Sequence, residues 1–402
     1  MDRDEARTPI GSGLTFTSVF ELGHLTDAFS SIHSLGNGII LAGKRSWKSF
    51  APYKAIYTST DSGNTWNPIH NPTGLTGSHL YMFGDNGNGV VIAGTGDIGN
   101  ICLIRSSDYG QTWNVMLSNS QINALARTSP ITSIFTAVYM GSDRWLVPIK
   151  NLDTASESNI YFLESLDNGV TWKAYPTKGL KAACRNMIKT SDGRLLYAGT
   201  FSSNQKYAGP YVSKDEGYTW TQGGNWKAFE GIADLGNGSY VMGTYDIGTS
   251  PLSVAIYKST DYGLSWSLHK SAAVHSTYAF IRSILKVSDK IAVAFTSCSE
   301  FSPWSSRDAR TFITYDGGAH WVDAGNPYTN TYGGMNAIYE AIMLENGMIL
   351  AANSQTAIFY VVICKENENE VSDFFIIIQI MYSFEDTVVS ISPLSNIVDF
   401  FK

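Results

Sequence analysis

Seven positions of the chain stand the same distance ahead of a short turn rich in Gly, Asn and Asp. Counting seven residues back from the Asn or Asp of each turn gives Ser30, Tyr81, Thr136, Arg185, Glu230, Arg282 and Tyr339. Paired guanidinium groups hold a carboxylate through fork-shaped hydrogen bonds, so Arg185 and Arg282 indicate an anion-binding site. The alternative is that Arg185, Glu230 and Arg282 form a structural ion-pair network that fills a channel, because such networks also cluster charge.

A second hypothesis concerns paired carboxylates. Glycoside hydrolysis by the common route needs two of them, roughly 5–10 Å apart across the bond. Glu230 and Asp246 are the pair that the strand pattern places on one face. Asp246 is equally explained as a residue that caps its own loop.

Aromatic residues stand on the loops that enter the same face of the predicted fold. The longest of these loops, 296–310, carries Trp304, and another carries Tyr245 beside Asp246. Aromatic rings on loops suit sugar binding, because the C–H face of a sugar packs on a ring while polar groups take the hydroxyls. Together with Tyr81 they are candidate ligand-binding residues, although each ring is also compatible with burial beneath its loop.

The elements that position these residues are repeats. Strand, turn and apolar strand recur in the same order, over 34–43, 88–94, 142–147, 192–199, 236–243, 288–294 and 346–352. After most of these hairpins comes the phrase S-x-D-x-G-x-T-W, or a close variant of it, with its aspartate at Asp61, Asp108, Asp167, Asp215, Asp261 and Asp316.

The repeated phrase has a local physical explanation. Its Asp accepts hydrogen bonds from the backbone of the turn, its Gly adopts the positive φ of the reversal, and its Trp anchors the returning strand. The aspartates recur every 46 to 59 residues, which is the length of one four-stranded propeller blade. We therefore predict an all-β fold.

The phrase resembles the Asp box, or bacterial neuraminidase repeat, of the sialidase-like β-propellers. This resemblance implies one propeller over residues 1–402, with the six Asp boxes in structural roles. The seven inner hairpins favour seven blades, the last of them degenerate, and six blades is the alternative. Residues 1–27 are expected to close the ring, and residues 371–402 are a strand or tail that would serve the same purpose.

The resemblance also implies roles for individual residues. Sialidases hold the substrate carboxylate with three arginines and use a Tyr/Glu nucleophile pair and an Asp acid/base. Arg185 and Arg282 match two of the arginines in type, and Tyr339 with Glu230 matches the catalytic pair.

Two departures argue against ordinary sialidase activity. Ser30 stands where the family has its first arginine, and the loop 44–50 carries no carboxylate for the acid/base role.

Composition excludes several classes of function. The net charge of −7 argues against a nucleic-acid partner. The four cysteines show no C-x-x-C spacing, so neither zinc nor a redox motif is indicated, and no cofactor or metal motif is present. The apolar run 374–381 is too short to cross a bilayer, and no signal peptide is visible.

The leading functional hypothesis is recognition of a glycan, with an acidic group, by a non-catalytic surface or receptor-binding protein. The alternatives are a divergent sialidase-like exo-glycoside hydrolase and a scaffold that binds other proteins. An extracellular, cell-surface or virion-surface location is expected.

Overall fold

The computed structural model describes residues 14–21, 27–46, 54–96, 100–126, 131–151, 161–200, 208–224, 227–247, 252–274, 278–298, 310–324, 338–353 and 357–363. Within these ranges the fold is almost entirely β-structure, with one helix, Asn119–Ala126.

The strands form successive antiparallel groups. The first strand is β1 (Leu14–Glu21). The next group contains β2 (Asp27–Ser34), β3 (Ile40–Ser46), β4 (Ile56–Ser59) and β5 (Asn67–Pro68). It is followed by β6 (His79–Asp85), β7 (Val91–Gly96), β8 (Cys102–Ser106) and β9 (Asn114–Ser118), and then by helix α1 (Asn119–Ala126). The third group contains β11 (Val138–Gly141), β12 (Arg144–Pro148), β14 (Tyr161–Ser165) and β15 (Lys173–Pro176). The short strands β10 (Ile131–Ser133) and β13 (Lys150–Asn151) pair with each other, and β10 also pairs with β7 of the second group.

The later groups repeat this pattern. The fourth contains β16 (Ala183–Lys189), β17 (Leu195–Thr200), β18 (Gly209–Ser213) and β19 (Thr221–Gln222). The fifth contains β20 (Ala228–Gly236), β21 (Ser239–Ile247), β22 (Leu252–Ser259) and β23 (Ser267–Val274). The sixth contains β24 (Tyr278–Lys286), β25 (Ala292–Cys298), β26 (Thr311–Thr314) and β27 (Val322–Asp323). The last contains β28 (Ile338–Met343), β29 (Ile349–Asn353) and β30 (Ala357–Ile363).

The last group takes its fourth strand from the other end of the chain. Strand β1 pairs antiparallel with β30, from Leu14 opposite Ile363 to Glu21 opposite Ala357. The order of this sheet is β1-β30-β29-β28, so β1 occupies the outer edge. Residues 371–402, the other candidate for this position, lie outside the described residues.

The turn between the third and fourth strands of a group is a hydrogen-bonded unit. In its first copy the Oδ1 atom of Asp61 accepts hydrogen bonds from the Ser59 hydroxyl (2.8 Å) and the Thr65 N–H (2.9 Å). The Gly63 N–H donates to the Ser59 hydroxyl oxygen, and the Trp66 Nε1–H donates to the Gly63 carbonyl. The same aspartate contacts recur at Asp108, Asp167, Asp215, Asp261 and Asp316.

The apolar cores lie between neighbouring groups rather than within one. Each core combines residues of two successive sheets, such as Met82 of β6 with Trp145 of β12. A further core joins the first group to the last, through Phe29 and Ile32 on one side and Leu350 on the other. Sheets that pack in sequence and close on themselves in this way form a β-propeller.

Two further observations concern the cysteines and the helices. Cys102 and Cys184 are buried free thiols. Among the described residues no helix has both the length and the apolar composition needed to cross a membrane.

Candidate functional site

A cavity of about 600 Å³ lies between the inner strands of the ring. Its lining includes every position obtained by counting back from the inner turns, namely Ser30, Tyr81, Thr136, Arg185, Glu230, Arg282 and Tyr339. The repeat length therefore brings these residues to one place, although they span more than 300 positions of the sequence.

Most of these side chains lie at a β-bulge of their inner strand. The pairing of the inner strand with its neighbour skips one residue in five strands, at Ser30, Tyr81, Arg185, Arg282 and Tyr339. In β20 the pairing skips both Glu230 and Gly231. A bulge inserts an extra residue and redirects its side chain, which explains why polar residues within apolar strands reach the cavity.

Gly231 allows β20 to lie close to β24. A Cβ atom at this position would meet the carbonyl oxygen of Ile281 at 2.9 Å and the backbone of Arg282 at 3.3 Å. The close approach places Glu230 and Arg282 side by side on neighbouring inner strands.

Glu230 forms ion pairs with both arginines. Its Oε1 atom lies 3.1 Å from Arg282 Nε and 3.9 Å from Arg185 Nη1. Glu230 is 7% exposed. Its second oxygen, Oε2, is inaccessible and accepts no hydrogen bond from the described residues.

Aromatic rings hold the guanidinium groups in place. The Arg282 guanidinium carbon lies 4.1 Å from the ring centroid of Tyr339 and 4.9 Å from that of Phe280. The Arg185 guanidinium carbon lies 4.7 Å from the ring centroid of Phe135. Such cation–π contacts stabilise the cations and leave their N–H edges directed at other groups.

The predicted residues contact Arg45, His79 and Phe135, which the sequence patterns did not indicate. Arg45 donates a hydrogen bond to the Tyr339 hydroxyl and pairs through its backbone with His79. Arg45 was not predicted because it lies on β3, the second strand of its group, and the count from the inner turns reaches only the first strand. The sequence signal that could have indicated Arg45 is its position one residue before the end of β3. This position lies opposite His79, the first residue of the next inner strand, β6.

His79 is held as a neutral imidazole. Burial, together with the charges of Arg45 and Arg282, lowers its pKa to about 3. Its ring stacks on Tyr81 at 5.3 Å between centroids, and Tyr81 in turn contacts Phe135 at 4.8 Å.

These contacts form a closed circuit, which we call the mouth ring, and six of its eight residues line the cavity. In order of contact it consists of Arg45, His79, Tyr81, Phe135, Arg185, Glu230, Arg282 and Tyr339. One half is aromatic, from His79 to Phe135, and the other half carries the arginines and the carboxylate. A ligand in the cavity would therefore meet rings on one side and fixed charges on the other.

A second polar cluster lines the same cavity and consists of His33, Asp85 and Glu340, which the sequence patterns also did not indicate. His33 Nε2 lies 2.5 Å from Asp85 Oδ2, and the Ile32 N–H donates to Glu340 Oε2 at 2.9 Å. Burial raises the pKa of Glu340 to about 7, against the opposing effects of the Ile32 N–H and His33. Burial also acts on Asp85, but the hydrogen bond with His33, the charge of His33 and the Gly87 N–H together outweigh it and lower the Asp85 pKa.

Several candidates lie beyond what the structure describes. Tyr245 and Asp246 are described by backbone alone, within β21, where Asp246 pairs with Ala279. Trp304 lies outside the described residues. The pairing of Glu230 with Asp246 stays a prediction. Within the described ranges, no group of three or more His, Cys, Asp or Glu side chains could hold a metal ion.

Comparison with known proteins adds distant relatives. The chain is 23% identical over 213 residues to a sialidase of Paraclostridium sordellii, covering 48% of this chain and 51% of that protein. It is 28% identical over 245 residues to the xyloglucanase Xgh74A of Acetivibrio thermocellus, covering 53% of this chain and 28% of that protein. No protein-family model matches.

The solved structures agree on the fold. The structure of YCF48 from Cyanidioschyzon merolae superposes with a TM-score of 0.55 at 12% identity, covering 86% of this chain and 98% of that one. Together these similarities support a sialidase-like β-propeller. The chain matches about half the length of the sialidase and a smaller share of the xyloglucanase, and carbohydrate-related function is what these relatives have in common.

Proposed function

We propose that this protein binds a carbohydrate bearing a carboxylate at the mouth ring, and that it does so without cleaving the sugar. The observation that carries the proposal is the arrangement of Arg185, Glu230 and Arg282 opposite the aromatic half of the ring, beside an open cavity. The finer fold that we propose is a seven-bladed Asp-box propeller, acting in an extracellular or surface setting.

The two halves of the mouth ring suit the two faces of an acidic sugar. The rings of Tyr81 and Phe135 offer a surface on which sugar C–H groups pack. Arg185 and Arg282 offer planar donors that match a carboxylate. The volume of about 600 Å³ is in the range of small-molecule sites, which favours a small ligand over the scaffold alternative.

The carboxylates argue for binding without hydrolysis. Glu230 forms ion pairs with two guanidinium groups, so its carboxylate is already engaged within the protein. The other carboxylates described in the cavity lining, Asp85 and Glu340, are bonded to His33 and to the Ile32 backbone.

A divergent sialidase-like hydrolase is the second candidate. The observation that favours it is the hydrogen bond from Arg45 to the Tyr339 hydroxyl, together with the position of Arg282 over the Tyr339 ring. In this alternative Tyr339 would be the nucleophile and Glu230 its base, and the acid/base group would come from residues that the structure does not describe.

The proposal is tested by a glycan-array screen run beside hydrolysis of a fluorogenic sialic-acid substrate. We expect binding of acidic glycans without turnover. Arg185→Ala and Arg282→Ala should each weaken binding by at least about tenfold, as loss of a charge-assisted hydrogen bond predicts.

The matched control is Arg144→Ala. Arg144 is also a half-buried arginine, paired with Glu164 at 2.8 Å, but it does not line the cavity. Binding that is lost equally in all three variants would mean that the arginines act through stability. Turnover of the substrate would replace the leading proposal with the hydrolase, and absence of both binding and turnover would favour the protein scaffold.

A further inference from the structure

The Oε2 atom of Glu230 is a buried acceptor with no hydrogen bond from the described residues. A carboxylate oxygen in water accepts several hydrogen bonds, and burying one without a donor is unfavourable. The residue is 7% exposed and lines the cavity, so a small ligand group that enters the cavity beside Glu230 would supply a donor that the described residues do not.

Glu230 is also fixed in orientation. Its Oε1 atom is held 3.1 Å from Arg282 Nε, and Arg282 is itself held against the rings of Tyr339 and Phe280. The backbone of Glu230 is set by the bulge that it shares with Gly231. A rotation that satisfied Oε2 elsewhere would break the pair with Arg282.

We propose that Oε2 of Glu230 accepts a hydrogen bond from a hydroxyl or N–H of the ligand, and that this makes Glu230 a specificity-determining residue. The selected ligand carries an anionic group for the arginines and a donor one or two bonds from it, as in a hydroxy acid. This inference rests on the proposed anion site, but it defines the ligand more narrowly and gives Glu230 a binding role instead of a catalytic one.

The smallest probes of this pattern are acetate and glycolate, which differ by one hydroxyl beside the carboxylate. Titration followed by protein NMR at constant ionic strength should give at least about tenfold tighter binding of glycolate, since hydrogen bonds to charged groups have about this strength. In Glu230→Met, which has similar length and no acceptor oxygen, the ratio should fall to about one. In Glu230→Gln, whose acceptor is neutral, the ratio should be intermediate.

The matched control is Glu164→Gln. Glu164 is a buried glutamate held by Arg144 at 2.8 Å and Lys173 at 2.9 Å, away from the cavity. This variant should keep the wild-type preference for glycolate. If the Glu230 variants do not fold, the glycolate-to-acetate ratio of the wild-type protein still decides the matter.

The outcomes separate this inference from the proposed function. Equal binding of the two acids to the wild-type protein overturns the role of Glu230, even where the array shows acidic glycans bound through the arginines. A glycolate preference that disappears in Glu230→Met, with no glycan bound on the array, supports the role of Glu230 and removes the carbohydrate proposal. Failure of both acids to bind overturns the role of Glu230, and the glycan array alone then decides the proposed function.

Discussion

The Nε atom of Arg282 lies 3.1 Å from the Oε1 atom of Glu230, and the two residues occupy bulges of neighbouring inner strands. The same Oε1 atom lies 3.9 Å from Arg185 Nη1. One carboxylate oxygen thus connects three blades of the ring, and the two arginines are coupled through it.

Removing the charge of Arg282 alone should lower the free energy of unfolding more than removing the charges of both Arg282 and Glu230. Arg282→Gln leaves the Glu230 carboxylate with weaker compensation, so we expect a loss of about 2–4 kcal/mol in the free energy of unfolding. Adding Glu230→Gln should restore part of that loss, because the buried charge is gone. Urea denaturation of the two single variants and the double variant measures the coupling. Arg144→Gln is the control, since Lys173 still pairs with Glu164 there, and purely additive losses for Arg282 and Glu230 would contradict the coupling.

Gly110, the glycine of the second repeated turn, is predicted to be needed both for its positive φ and for the close packing of Leu41 against it. Gly110 has φ +81°, and a Cβ atom there would lie 2.8 Å from the Leu41 side chain of the preceding group. Gly87 has φ +74° with nothing within 4 Å of such an atom. Gly87→Ala should therefore cost about 1–2 kcal/mol from backbone strain alone. Gly110→Ala should cost a further 1–3 kcal/mol, roughly, from overpacking. Equal losses in thermal or urea denaturation would show that the contact with Leu41 does not matter.

Glu340 should make the protein less stable as the pH rises through neutrality. Its pKa is raised from 4.5 to about 7 in the folded state, so the folded protein binds the proton more tightly than the unfolded chain. The stabilising contribution is complete below about pH 4.5 and is lost as the pH rises through about 7. Glu340→Gln should flatten the pH dependence of the free energy of unfolding between pH 5 and 8. The exposed Glu345→Gln should leave it unchanged, and a wild-type slope retained in Glu340→Gln would refute the assignment.

His79 should make the protein less stable as the pH falls below about 6.5. Burial and the charges of Arg45 and Arg282 lower its pKa from 6.5 to about 3. Its contribution to stability is therefore complete above about pH 6.5 and is lost as the pH falls towards 3. His79→Gln should reduce the loss of stability over this acid range, measured by thermal denaturation at a series of pH values. His70→Gln, at an exposed histidine, is the control and should behave as the wild-type protein.

The cavity-lining positions were accessible from sequence because the repeat keeps a fixed number of residues between each of them and the inner turn of its group. A fixed count from each inner turn reached Arg185, Glu230, Arg282 and Tyr339 without knowledge of the fold in space. The hydrogen bonds of the repeated turn were likewise implied by local chemistry, since Asp61 and its counterparts bond to residues within four positions.

The other features of the site depend on contacts between blades, and such contacts leave no periodic signal in the sequence. Arg45 and His79 belong to different groups and meet through a single backbone pair. The bulges are also silent in sequence, apart from Gly231 beside Glu230. The orientation of Arg282 against Tyr339 and Phe280 follows from the bulges and could not be derived from spacing.

The pairing of β1 with β30 has a consequence for biosynthesis. The edge of β30, which starts at Ala357, receives a partner that ends at Glu21. At about 5–20 residues per second, a ribosome takes roughly 20–70 s to synthesise the residues between Glu21 and Ala357. During that time β1 is an unpaired segment available to chaperones or to other nascent chains. Shortening the delay, for example by a circular permutant that joins β1 directly after β30, should raise the soluble yield without altering the mouth ring.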